Sequence, residues 1–138
     1  MQRMVFRGQG VLLVSWVLLA ACGAEEQDVV GTYVNTSWLD LQDSLFLSGA
    51  GSFRHRIYDH RGDLLAETDG KWKLGGGARI HFDGLMSRPV FDASAPMDKE
   101  WVERTTVSTF VEQDKGWMGF CYGNEGCETC YVKVAGGQ

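Results

Sequence analysis

The chain has 138 residues, with 13 Lys and Arg against 18 Asp and Glu, and a net charge of −5 with its three histidines neutral. It holds one domain of ordinary size. An acidic chain without a basic run argues against nucleic acid and against anionic lipid surfaces as partners.

The first residues decide the expected compartment. Arg3 and Arg7 supply a positive start, and Val11 to Leu19 is apolar apart from Ser15. That run is too short to span a bilayer. Small residues and a cysteine follow, and Leu19-Ala20-Ala21-Cys22 resembles the lipobox of bacterial lipoproteins. The resemblance implies a signal peptide over residues 1–21, cleavage before Cys22, a diacylglyceryl group on the Cys22 thiol, and acylation (palmitate among the expected chains) of the new amine. The alternative is an ordinary signal peptide that ends in a cysteine. Two or three acyl chains hold a protein stably on a membrane where one does not. The expected location is therefore the cell envelope, lipid-anchored through Cys22, with Gly23 favouring the outer membrane of a Gram-negative host. Residues 22–28 read as the lipidated cysteine and a short tether, and residues 29–138 as a single β-barrel domain. Losing Arg3 and Arg7 leaves 11 basic against 18 acidic residues.

From Val29 the chain reads as strands and turns. Val29–Asn35 is a strand and Ser37–Asp43 a turn or short helix. Ser44–Leu47 and Ser52–Tyr58 are strands around a glycine turn. Leu64–Thr68 and Gly70–Leu74 are two short strands or one bent strand. Gly75-Gly76-Gly77 must turn, because three glycines neither pack nor hold a strand. Ala78–Phe82 is a strand, Met86–Phe91 a weaker one, and Asp92–Lys99 a loop. Glu100–Glu112, Trp117–Tyr122 and Thr129–Val134 are the last strands, with a turn at Gln113–Gly116. Short strands near ten residues apart indicate an antiparallel meander, and about eight of them tend to close into a barrel. Alternation puts Phe53, His55, Ile57, Trp72, Leu74, Ile80 and Phe82 inside.

Gly31-Thr32-Tyr33, Gly51-Ser52-Phe53 and Gly70-Lys71-Trp72 together resemble small bacterial lipocalin-like lipoproteins. The resemblance covers most of residues 29–134. It implies an all-β, up-and-down barrel with the Tyr33 ring plugging one end. It carries no catalytic residues over, because fold does not fix function.

Beyond Cys22, three cysteines remain. Cys121, Cys127 and Cys130 lie in the last hairpin, in a compartment where disulfides persist. One disulfide is expected, either Cys121–Cys127 or Cys121–Cys130. The sharper alternative is a copper, zinc or redox site built on all three. His55 reads as a structural rim histidine or as a ligand contact at the barrel mouth, and Trp72 as its companion in a pocket. Asp40 and Asp43 read as turn or surface groups, like the other acidic clusters. No nucleophile elbow, zinc-protease helix, phosphate loop or calcium loop occurs. The expectation is a non-enzymatic binding or interaction module without cofactor. Its expected partners are the membrane and either a small apolar ligand or an envelope protein. An outward apolar patch is expected at Trp38 or Trp101, and the large inward side chains favour a filled interior.

Overall fold

The computed structural model describes residues 24–37, 41–87, 103–123 and 128–135. Cys22, Trp38, Asp40, Trp101, Cys127 and the expected loop Asp92–Lys99 lie outside the described residues. Among the described residues a short helical turn, α1 (Glu26–Val29), precedes nine strands. They are β1 (Gly31–Asn35), β2 (Gln42–Leu47), β3 (Ser52–Tyr58), β4 (Leu64–Gly75), β5 (Arg79–Ser87), β6 (Glu103–Phe110), β7 (Glu112–Asp114), β8 (Trp117–Tyr122) and β9 (Thr129–Lys133).

All nine form one sheet in the order β6-β5-β4-β3-β2-β1-β9-β8-β7, with every pair antiparallel. The chain is thus an up-and-down meander that brings β9 back beside β1. The sheet then curls until β6 meets β8, which makes a nearly closed barrel. The Thr109 hydroxyl crosses that seam to the Cys121 carbonyl at 2.5 Å. The buried Val111 redirects the chain from pairing with β5 to pairing with β8, and its amide bonds the Ala78 carbonyl at 2.9 Å. Near-closure leaves few free edge groups, which is why a meander of this length does not stay open.

Alternation along the strands builds the interior. Phe53, Ile57, Trp72, Ile80 and Phe82 are all buried, as their parity predicts. The rings of Phe53, Phe82, Phe120 and Tyr131 follow one another at centroid distances of 5.7, 5.1 and 5.3 Å. Tyr33 joins them at 5.4 Å from Phe120. Each such ring contributes about 1.5–3 kcal/mol on burial, and together they form a connected run of rings in the core.

The strand bounds refine the pattern-based reading: β2 begins at Gln42 rather than Ser44, and Glu112–Asp114 is a strand although the pattern predicts a turn over Gln113–Gly116. Of the two readings of residues 64–74, the single strand holds as β4, because Gly70 lies under the Phe53 ring and continues the ladder opposite it. β5 runs past Phe82 to Ser87, because Gly84 adopts φ 92° within a register shift between Asp83 and Leu85. The shift is a bulge rather than a strand end, and it leaves both Leu85 and Met86 buried.

The stretch read as a tether contains α1. Val29 is fully buried, and its carbonyl, otherwise orphaned at a helix end, accepts from the Tyr33 hydroxyl at 2.7 Å. Lys133 Nζ donates to the neighbouring Asp28 carbonyl at 2.5 Å. Among the described residues no helix is long and apolar enough to cross a membrane.

Candidate functional site

Four adjacent strands deliver a polar cluster into this apolar interior. Inward positions of β9, β1, β2 and β3 supply Tyr131, Asn35, Asp43 and His55. Asn35 and Tyr131 are direct cross-strand partners, and Leu45 pairs with His55 one inward position along from Asp43. Asp43 is the hub. Its Oδ1 lies 2.7 Å from His55 Nε2, and its Oδ2 accepts from Tyr131 at 2.7 Å and from Asn35 Nδ2 at 2.9 Å.

The tautomer of His55 follows from its partners. The Met86 amide donates to Nδ1 at 3.2 Å, so Nδ1 is the acceptor nitrogen and Nε2 carries the proton given to Asp43. The bulge at Gly84 sets this contact, because it brings the Met86 amide to the ring. Asp43 is acceptor-only in all three bonds, the role of a carboxylate. Burying such a group costs several kcal/mol unless it is fully bonded, and here every oxygen is engaged.

Burial raises the Tyr131 hydroxyl well above its ordinary value, and the negative charge of Asp43 adds to the effect. Tyr122 stacks on Tyr131 at 6.3 Å, and burial raises its hydroxyl too. The Tyr122 hydroxyl is buried without a partner in hydrogen-bonding geometry among the described residues.

The cluster is closed to solvent. Asp43 is 4% exposed and His55 and Tyr131 are 0% exposed. His55 is therefore not a rim histidine, and both ring nitrogens are satisfied within the protein. Trp72 is also buried, with its indole Nε1 donating to the Ser48 carbonyl at 3.0 Å under the β2–β3 turn. His55 pairs across to Thr68, four residues along β4 from Trp72, so the two sit roughly 13 Å apart along the strand. They do not share a pocket wall. Asp43 overturns the reading of that residue as surface. Its parity with Leu45 and Leu47 was the available signal, and the ambiguity over Ser37–Asp43 concealed it.

The hairpin cysteines form one disulfide. Cys121 on β8 and Cys130 on β9 are register partners with Cα atoms 4.1 Å apart, and their sulfurs are bonded. Of the two pairings expected, this is Cys121–Cys130. The bridge lies on the outside of the barrel, since Phe120 and Tyr131 take the inward positions. Glu128 stands within 4.8 Å of both sulfurs. In the bonded state neither sulfur is a thiolate, so two of the three ligands of the metal reading are already joined to each other.

No family model matches the chain, and neither a curated protein nor a solved structure matches it. The polar cluster offers an acid, an imidazole and a phenol without solvent access and, among the described residues, without a nucleophile hydrogen-bonded to them. What it can do is hold four strands in one register.

Proposed function

We propose that the chain is a cell-envelope lipoprotein, anchored through lipid on Cys22, whose barrel acts non-enzymatically by binding a protein partner on its outer surface. The observation that carries this reading is the contrast between the two faces of the sheet. The described inward positions hold packed rings and a hydrogen-bonded polar cluster, while the outside of β8, β9, β1 and β2 bears apolar groups. Trp117, Val34, Phe46 and Val134 are each at least 39% exposed. Val132 lies between Gly119 and Val34 in the ladder, and the Trp117 ring lies over Gly119. Exposed apolar stripes of this kind mark interaction surfaces. The packed rings at the described inward positions support a protein partner over the small apolar ligand.

The test is a photo-crosslinking amino acid placed at Phe46 and, as a control, at Arg61 on the β3–β4 turn, in whole cells. A discrete adduct from position 46 that is absent from position 61 is expected. No adduct from position 46, or the same adducts from both, contradicts the reading. The anchor is tested separately by metabolic labelling with palmitate, which Cys22→Ser abolishes if the lipobox is used.

A further inference from the structure

The outer face of β4, β5 and β6 carries a charge pattern that the acidic total conceals. Because Trp72, Ile80 and Phe82 turn inward, Lys71, Lys73, Arg79, His81 and Asp83 turn outward. Register places Lys71 beside Asp83 and Lys73 beside His81. On the neighbouring β3 the outward cations are already engaged, Arg54 with Asp69 at 2.9 Å and Arg56 with Glu67. Among the described residues Lys71 and Lys73 enter no ion pair, and Arg79 lies over the Phe110 ring at 4.7 Å. Two exposed ammonium groups two residues apart repel each other in an otherwise acidic molecule. A bound anion relieves that repulsion.

The shape fits the charge. A groove of about 640 Å³ is lined by Lys71, Lys73, His81, Asp83, Thr106 and the Ala50–Gly51 turn, together with Trp72 and Phe82 between the outward residues. Its donors are ammonium groups, an imidazole and a hydroxyl, and its one acid is Asp83. Lysines bind phosphate oxygens as point charges. The groove also sits at the end of the barrel where the chain enters, since Gly49 of the same turn lies next to Val30. From Ala24, which packs against the core, back to Cys22 is two residues, or roughly 7 Å when extended.

We propose that this groove is a binding site for phosphate-bearing anions. On the lipid-anchor reading, which the binding itself does not require, phospholipid head groups are the nearest such anions.

The test uses the full chain in a neutral detergent, with amide NMR shifts read during titration with inorganic pyrophosphate, dihexanoyl phosphatidylglycerol or dihexanoyl phosphatidylcholine. Pyrophosphate and the anionic lipid are expected to shift the amides of Lys71–Lys73 and His81–Asp83. A response to the anionic lipid but not to pyrophosphate keeps the site and names its source as head groups. Lys71→Gln with Lys73→Gln is expected to weaken binding about tenfold while leaving the remaining amide spectrum in place. Arg61→Gln is expected to leave binding unchanged. No local shift with either anion, an equal response to the zwitterionic lipid, or wild-type binding by the double variant overturns the proposal. Failure of palmitate labelling with these shifts intact removes the anchor and keeps the site.

Discussion

At the scale of single residues, the weight falls on Asp43. It hydrogen-bonds His55, Tyr131 and Asn35 together. Removing it leaves an imidazole, a phenol and an amide with donors in an apolar interior. Asp43→Ala is therefore expected to lower unfolding free energy by about 3–5 kcal/mol. Tyr131→Phe, which deletes one donor to the carboxylate but keeps the ring stack, is expected to cost about 1–2 kcal/mol. Urea unfolding measures both, and equal losses would mean that Asp43 is not the hub. The buried tyrosines set a pH dependence with a definite sign. Tyr33, Tyr122 and Tyr131 all have hydroxyls raised by burial above the unfolded value. A raised value favours the neutral form in the folded state. That stabilisation is complete below about pH 10, the unfolded tyrosine value, and is lost as pH rises through the higher folded values. Stability should thus decline on the alkaline side, with phenolate absorbance and unfolding appearing together. Phenolate absorbance rising to completion around pH 10 in a still-folded protein would contradict it.

At the scale of elements, the β8–β9 hairpin and the β3–β4 ladder make separate predictions. The Cys121–Cys130 bridge spans nine residues in sequence. Replacing both cysteines by serine is expected to cost on the order of 2–3 kcal/mol, read as a shift in the urea midpoint. Gly70 is filled over by the Phe53 ring, and a Cβ there would meet that ring and the Asp83 carbonyl. Gly70→Ala is expected to cost about 1–3 kcal/mol through overpacking, whereas Gly62→Ala, with open space around it, tests only its φ of 87°. These elements also show what was legible in the chain. Ser52–Tyr58 and Trp117–Tyr122 have the bounds their alternation predicts, because both faces carry consistent residue types. β5 was cut short because Gly84 looks like a break in a linear pattern, and only the partner strand β6 reveals a bulge. The Met86–His55 bond depends on that bulge, so the partner of the ring was not readable from spacing.

At the scale of the molecule, the all-β meander was legible, and its strand count came within one of the number expected. Strict period-two patterning and regular glycine turns leave few other folds for a chain of this size. The polar cluster was only half legible. His55 showed itself as a polar residue among apolar neighbours, but Asn35, Asp43 and Tyr131 are brought to it by pairings across four strands. Total charge misled in a different way. It averages over a surface on which Lys71, Lys73 and Arg79 gather on one face, so an acidic chain still presents a cationic groove.

Native mass spectrometry of the protein expressed from residue 1 and extracted from whole cells in mild detergent, then repeated after denaturation with thiol alkylation, is the most direct test. The account predicts a polypeptide that begins at Cys22 and carries covalent acyl groups. It also predicts Cys121 and Cys130 protected from alkylation, and no interior ligand lost on denaturation. An unmodified chain would remove the anchor. A tightly held apolar molecule released on denaturation would show that the barrel houses a ligand, contrary to the protein-partner reading proposed above.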